Sequence, residues 1–133
     1  MMRICKESTI QAAHFLPNTP TDHKCHGMHG HTWTVRAWYS GPIDPSLGWI
    51  VDYSELDRIW RKGVFSVIDH TVINATIPNP TTELLAGWIY ARLAQQMESD
   101  PVFVGVSIVR IDVCEGGGNW TILEIEQPAR GGV

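Results

Sequence analysis

Residues 79–97 read NPTTELLAGWIYARLAQQM, and this stretch decides the fold prediction. After Asn79 come Pro80, Thr81 and Thr82, and these residue types favour the N-cap and first turn of a helix. Apolar side chains then recur at helical spacing, at Leu84, Leu85, Trp88, Ile89, Leu93 and Met97. An apolar stripe with this period predicts an amphipathic helix that packs one face on a core.

A second helix is predicted upstream of this stretch. Asp52 stands at an N-cap position with Glu55 three residues further on, which is typical of a helix start. Apolar residues follow at helical spacing, at Tyr53, Leu56, Ile59, Trp60 and Val64. The pattern predicts a helix of about three turns.

Strand patterns flank the two helices. Residues 3–14 alternate in character, and residues 32–39 are rich in β-branched and aromatic side chains. Residues 102–115 predict a long strand, residues 116–118 are a triple-glycine turn, and residues 121–125 predict a final strand. The order β-β-α-α-β-β predicts an α+β fold, with an antiparallel four-stranded sheet and two helices on one face. Such a sheet has two open edges, so we expect copies of the chain to pair through them.

Composition limits the class of protein. With 133 residues, 44% hydrophobic and 18% charged, the chain is expected to form one domain over residues 1–133. The formal net charge is -4 and the basic residues are not clustered, which argues against a nucleic-acid partner. Neither a membrane span nor a signal peptide is recognisable, so we expect a cytoplasmic protein. An odd number of cysteines, three, favours reduced thiols.

Residues 25–31, CHGMHGH, carry the clearest chemical signal. His29 and His31 share one face of a strand, because side chains alternate along it. His14 ends the first predicted strand, so antiparallel pairing would bring three imidazoles together. Three nitrogen ligands with an open fourth position are typical of catalytic zinc. The alternative is that these histidines are ordinary turn residues; a structural zinc finger would need a fourth ligand and usually Cys-x-x-Cys pairs.

Three further groups are candidates for chemistry. Cys25 is either a packed side chain or a reactive thiolate, and the polar loop between Lys24 and His26 favours the thiolate. Asp69-His70 places a carboxylate beside an imidazole, although such a pair is also common in turns. Glu115 continues the apolar face of the third strand, so its carboxylate needs a donor from a ligand, an arginine or a backbone amide.

The whole chain resembles the family of pterin synthases that act on 7,8-dihydroneopterin triphosphate, the 6-pyruvoyl- and 6-carboxytetrahydropterin synthases. The resemblance rests on AAHFLP (12–17), HKC (23–25) before HGH (29–31), GWIVDYSEL (48–56), Asp69-His70 with Asn74, and NPTTE (79–83). The segments around Cys25 and Trp49 look most like bacterial 6-carboxytetrahydropterin synthase. The family often has Thr after the glutamate that corresponds to Glu115, whereas this chain continues with three glycines.

The resemblance implies the T-fold, in which subunits form barrels through their sheet edges and assemble, usually as hexamers (dimers of trimers). It implies one Zn²⁺ per subunit on His14, His29 and His31. It implies Cys25 as the base, with Asp69 and His70 as proton-relay partners. Substrate binding is implied for Glu115, which would anchor the pterin ring, and for Thr81, Thr82 and Lys24.

The implied reaction releases acetaldehyde and triphosphate to give 6-carboxytetrahydropterin, for 7-deazaguanine (queuosine-type) synthesis. An enzyme that stops at 6-pyruvoyltetrahydropterin, for tetrahydrobiopterin synthesis, is the alternative within the family. A non-catalytic zinc-storage or zinc-sensing module that uses the same histidines is the alternative from another class.

Overall fold

The computed structural model describes residues 1–127, and its centre is a sheet of four antiparallel strands in the order β1-β2-β3-β4. The strands are β1 (Ile4–His14), β2 (His29–Ser40), β3 (Ser107–Cys114) and β4 (Trp120–Glu124). The predicted β-β-α-α-β-β order is confirmed. Two boundaries differ from the prediction, because β2 begins earlier, at His29, and β3 begins later, at Ser107.

The prediction of one strand over residues 102–115 is therefore wrong at both ends. Pro101–Phe103 forms a 3-10 turn that Asp100 caps, since its Oδ1 accepts from the Val102 N–H at 3.0 Å. Gly105 then takes a φ of 79°, which favours glycine and breaks the extended backbone before β3 can start. Glu115 lies one residue beyond the end of the strand.

Two helical segments cover one face of the sheet. Helix α1 (Tyr53–Trp60) is capped by Asp52 and continues through a π-helical segment (Arg61–Phe65) and a last turn (Ser66–Ile68), so it is longer than predicted. Helix α2 (Thr82–Met97) is the helix predicted from residues 79–97. The two pack closely at Gly63, whose carbonyl accepts from Arg92 Nε at 2.8 Å. A Cβ at Gly63 would lie 2.9 Å from Gln96 Cγ.

The core lies between these helices and the sheet. Its fully buried side chains include Trp33, Leu56, Ile59, Leu85, Ile89, Leu93 and Ile111. On β1 and β2 the buried residues alternate with more exposed ones, so each strand turns one face to the core. None of the helices formed by residues 1–127 is both long and apolar enough to cross a membrane.

The opposite face of the sheet carries a polar and aromatic surface. Asp112 is 2% exposed there and accepts from Trp38 Nε1 at 2.9 Å and from Arg110 Nε at 2.6 Å. Arg36 pairs with Glu7 at 2.8 Å on the same face. The contacts from Trp38 and Arg110 satisfy the buried carboxylate of Asp112, on a face of the sheet that no helix within residues 1–127 covers.

One sheet edge is partly closed by the chain itself. The carbonyl of Gln11 accepts from the His70 N–H at 2.6 Å, and the Ala13 N–H donates to Thr71 O at 3.0 Å. Residues 70–72 therefore run along the outer edge of β1 at its C-terminal end. Between Ile4 and Thr9, no other backbone segment within residues 1–127 hydrogen-bonds to this edge.

Candidate active site

Strand pairing brings three histidines together at one end of the sheet. His14 on β1 lies directly opposite His29 on β2, and His31 lies opposite Ala12. The ligand atoms of the three histidines all lie within 4.8 Å of one another. His14 is 1% exposed, while His29 and His31 are half-buried. The predicted convergence of three imidazoles is confirmed.

Backbone carbonyls hold two of the imidazoles in one tautomer. His14 Nδ1 lies 2.8 Å from Pro80 O, and His29 Nδ1 lies 2.7 Å from Gly27 O. A carbonyl only accepts, so in each ring Nδ1 carries the hydrogen and Nε2 is left with its lone pair. This is the arrangement by which metal-binding histidines are usually oriented.

The Nε2 atoms of His14 and His31 are buried and, among residues 1–127, have no hydrogen-bond partner. Burial lowers the pKa of both histidines, which favours the neutral, metal-binding form of each ring. Unpartnered buried nitrogens are rare because they are costly, and a metal ion would satisfy them. The three histidines can hold a metal ion, and their nitrogen ligands suit zinc.

Glu115 lies beside this cluster. Its Oε2 is 3.7 Å from His14 Nε2 and 3.8 Å from His31 Nε2. Sequence reasoning placed this carboxylate at the end of an apolar face without a partner, and the structure places it at the end of the sheet that carries the three histidines.

Asp69 and His70 form a hydrogen-bonded pair at the outer edge of β1. His70 Nδ1 lies 2.6 Å from Asp69 Oδ2, and the Gln11 N–H donates to Asp69 Oδ1 at 2.9 Å. Burial alone would raise the pKa of Asp69, but the hydrogen bonds from Gln11 and His70 hold it below its usual value. His70 has a φ of 57°, an unusual value for a residue other than glycine. Its side chain is 76% exposed, so the ring is accessible.

His70 and His31 line one open cavity of about 580 Å³. Gln11, Ala13, Gly30 and Val72 are among its other lining residues. His70 of the Asp69-His70 pair and His31 of the histidine cluster therefore border a shared space.

Cys25 lies in the loop of residues 15–28, which joins His14 to His29. Its backbone is held on both sides, because its carbonyl accepts from the Leu16 N–H at 2.8 Å and its N–H donates to His23 Nδ1 at 3.0 Å. The thiol is half-buried and is not in a disulfide. Within residues 1–127, no hydrogen bond joins Cys25 to His70.

Of the three remaining candidates, Thr81 and Thr82 lie at the start of α2 and Lys24 lies elsewhere. Thr81 is its N-cap and accepts from the Leu84 N–H at 3.1 Å. Thr82 donates to Glu83 Oε1 at 2.5 Å and accepts from Thr121 on β4 at 2.8 Å. Lys24 is exposed in the loop beside Cys25.

Sequence reasoning missed three supporting groups, the carbonyls of Pro80 and Gly27 and the backbone of Gln11. All three act through the main chain, so no side-chain pattern identifies them.

Comparisons with known proteins identify the family of this chain. A model of the 6-pyruvoyl tetrahydropterin synthase family matches residues 3–126. The 6-carboxy-5,6,7,8-tetrahydropterin synthase of Bacillus subtilis (strain 168) is 32% identical over a 114-residue alignment that covers 77% of this chain and 75% of that protein. The dihydroneopterin monophosphate aldolase of Pyrococcus furiosus is 29% identical over 114 residues, 86% of this chain and 90% of that protein.

Solved structures share the fold. The 6-pyruvoyl tetrahydropterin synthase of Caenorhabditis elegans matches with a TM-score of 0.78 at 19% identity, over 94% of this chain and 96% of that one. At this identity the likeness concerns the fold, which is the predicted T-fold of four antiparallel strands and two helices.

Proposed function

Because the chain belongs to the 6-pyruvoyl tetrahydropterin synthase family, we propose that it is a zinc-dependent lyase. Its substrates are 7,8-dihydroneopterin triphosphate and one water molecule, and its products are 6-carboxy-5,6,7,8-tetrahydropterin, acetaldehyde and triphosphate. The observation that carries the proposal is the convergence of three imidazoles at one sheet end, two of which are oriented by backbone carbonyls. This reaction serves 7-deazaguanine (queuosine-type) synthesis.

His14, His29 and His31 would hold one zinc ion per chain. When bound, zinc supplies Lewis-acid polarisation of the hydroxyl oxygens on the pterin side chain. The protein contributes orientation, because the carbonyls of Pro80 and Gly27 fix two of the rings before any metal arrives.

Cys25 acts as the base that removes a proton from a side-chain carbon of the substrate. The backbone hydrogen bonds to Leu16 and His23 hold the cysteine in a defined loop. A positioned base of this kind contributes roughly a hundred- to ten-thousand-fold in rate.

Asp69 orients His70 for the return of the proton. The 2.6 Å contact at Nδ1 leaves Nε2 of His70 pointing away from Asp69, and the ring is exposed to a substrate. Since no hydrogen bond joins this pair to Cys25 within the described chain, we propose that it completes an active site across an interface between copies.

Glu115 anchors the pterin ring, because a carboxylate can accept from the adjacent amino and N–H donors of the ring together. We expect Thr81 and Thr82 to contribute hydroxyl groups near the same pocket. Lys24, exposed beside Cys25, attracts the negatively charged triphosphate.

Within residues 1–127, the outer edge of β4 and the part of the β1 edge between Ile4 and Thr9 have no strand partner, which supports assembly into a barrel, and we propose a homohexamer built as a dimer of trimers. Each chain would act as one domain over residues 1–133. The enzyme would work in the cytoplasm, without a nucleic-acid or membrane partner.

Two other reactions are candidates on the same site. Formation of 6-pyruvoyltetrahydropterin, with elimination of triphosphate, is favoured by the name of the matched family. Aldol cleavage of a dihydroneopterin phosphate is favoured by the Pyrococcus furiosus relative.

Mass spectrometry of the products from 7,8-dihydroneopterin triphosphate and from the monophosphate separates these activities. We expect 6-carboxytetrahydropterin and acetaldehyde from the triphosphate. If the zinc-loaded protein turned over neither compound, the lyase proposal would fail and the zinc-storage or zinc-sensing alternative would be favoured.

A further inference from the structure

The carboxylate of Glu115 lies close to two histidines of the cluster. Its Oε2 lies at nearly equal distances from two buried nitrogens, 3.7 Å from His14 Nε2 and 3.8 Å from His31 Nε2. The same two nitrogens have no hydrogen-bond partner among residues 1–127. The carboxylate therefore lies beside two of the three imidazoles, those of His14 and His31.

The nitrogen of His14 and the carboxylate oxygen of Glu115 that face each other are both hydrogen-bond acceptors, so no donor lies between them. His14 donates from Nδ1 to the Pro80 carbonyl, so its Nε2 carries a lone pair. An ionised carboxylate also only accepts. Two acceptors that face each other repel, and a cation between them makes the contact favourable. A proton would join Oε2 to one ring, whereas a metal ion can contact both nitrogens and the oxygen together.

The two distances from Glu115 to His14 and His31 are close to those between neighbouring ligands of one zinc ion. Zinc bonds of about 2.0–2.2 Å in a tetrahedron separate neighbouring ligand atoms by roughly 3.3–3.5 Å. The observed 3.7 Å and 3.8 Å are only a few tenths of an ångström longer. The last side-chain torsion of a glutamate has a broad distribution, so a small rotation would bring Oε2 closer to these two nitrogens.

The backbone around Glu115 leaves room for such a movement. It lies just beyond the last residue of β3 and before three glycines that all have positive φ values. Its side chain is 33% exposed, so the carboxylate can also meet a ligand from solvent.

We propose that Glu115 is a fourth, exchangeable ligand of the metal, which binds the ion while the pterin pocket is empty and leaves it when the pterin ring arrives. The inference rests on the proposed function, in which this carboxylate accepts hydrogen bonds from the pterin ring. The Glu115 carboxylate cannot bind the metal ion and hydrogen-bond to the pterin ring at the same time in one geometry. Ring binding therefore opens a metal position at the moment when the substrate side chain needs it.

This exchange couples the two sites in both directions. A ligand that removes Glu115 from the metal weakens metal binding, and a metal that retains Glu115 weakens pterin binding by the same factor. A storage or sensing module would instead keep the glutamate on the metal whether or not a pterin is present.

The test compares zinc affinities, measured by competition with a chromophoric chelator, with and without unsubstituted pterin, which lacks the side-chain hydroxyls. Without pterin, we expect Glu115→Gln and Glu115→Asp to bind zinc at least about tenfold more weakly than the wild type. Glu126→Gln, which removes a charge at an exposed site beyond β4, is the matched control and should bind as the wild type does. Circular dichroism checks that every variant is folded.

Saturating pterin should lower the zinc affinity of the wild type towards that of Glu115→Gln and leave the affinity of this variant unchanged. Cobalt-substituted wild type should change its visible absorption on pterin addition, and Glu115→Gln should not. Equal zinc affinities for wild type and Glu115→Gln overturn the inference, while pterin binding by the wild type would still support the proposed function. Weak zinc binding by Glu115→Gln, with no pterin binding by the wild type, would make Glu115 a permanent ligand and overturn both.

Discussion

His14 Nδ1 lies 2.8 Å from the carbonyl oxygen of Pro80, so the last residue of β1 is tied to the residue that precedes the N-cap of α2. The contact is buried and spans 66 positions of sequence. A ligand of the candidate metal is therefore linked directly to the entry of the helix that packs on the core. Metal occupancy and fold stability should be coupled through this contact.

Zinc should stabilise the protein through its three histidines. At a free concentration a hundred times the dissociation constant, a ligand of the native state adds about 2.7 kcal/mol to the free energy of unfolding. We expect a chelator to lower the melting temperature of the wild type. His31→Ala should lose stoichiometric zinc and this response to chelator, as measured by metal analysis and calorimetry. His26→Ala, a change outside the cluster, should retain both, and full zinc content in His31→Ala would contradict the assignment.

Cys25→Ala should separate chemistry from binding. The change removes the proposed proton acceptor and leaves the three imidazoles and Glu115 in place. We expect turnover to fall by about a hundred- to ten-thousand-fold, with zinc content and pterin affinity retained. The control is Cys5→Ala, because burial raises the pKa of the Cys5 thiol and keeps it protonated. Loss of zinc from Cys25→Ala would make the thiol a ligand, and full activity would make it a packing residue.

Asp69→Asn should change how stability depends on pH. The hydrogen bonds from Gln11 and His70 hold the pKa of Asp69 below its unfolded value of about 3.9. A carboxyl group with a lowered native pKa stabilises the fold above the unfolded pKa, and this contribution is lost as the pH falls through the native pKa. Denaturant titrations should therefore show the wild type to be more stable than Asp69→Asn at pH 6, with a difference that shrinks below about pH 4.

The exposed Asp22→Asn is the control for this experiment and should not reproduce the effect. A stability difference for Asp69→Asn that is the same at pH 6 and pH 3 would argue against a charge-dependent role of Asp69.

Thr9→Pro should test assembly through the β1 edge. The Gln11 N–H points outward to Asp69, and in an antiparallel pair alternate residues point to the same side, so the Thr9 N–H is also outward. Proline there removes a donor to a neighbouring chain and keeps the bonds to β2. Sedimentation velocity should show an oligomer for the wild type and for Thr9→Ala, and smaller species for Thr9→Pro. A wild type that is a stable, active monomer would refute the assembly.

The histidine cluster could be predicted from sequence because its geometry depends on strand periodicity. His29 and His31 share a face through the two-residue repeat, and His14 ends the strand that pairs with theirs. The start of β3 was predicted wrongly, because β-branched residues 102–106 look extended although Pro101 and Gly105 impose a turn. The docking of Asp69 on Gln11 joins residues 58 positions apart, and no local pattern carries such a contact.

The loop of residues 15–28 begins and ends beside two residues, His14 and His29, that are direct partners across the sheet. The sheet sets the spacing of these ends, so the loop can change in length and content before Gly27, whose carbonyl orients His29, without moving the strands that carry the three histidines. Each doubling of the length of such a loop costs only about 0.6 kcal/mol in closure entropy. Insertions, deletions or an exchange of the residue at position 25 can therefore accumulate here over evolution while the ligand set is preserved. This freedom gives one metal-binding scaffold a route to different reactions on related substrates.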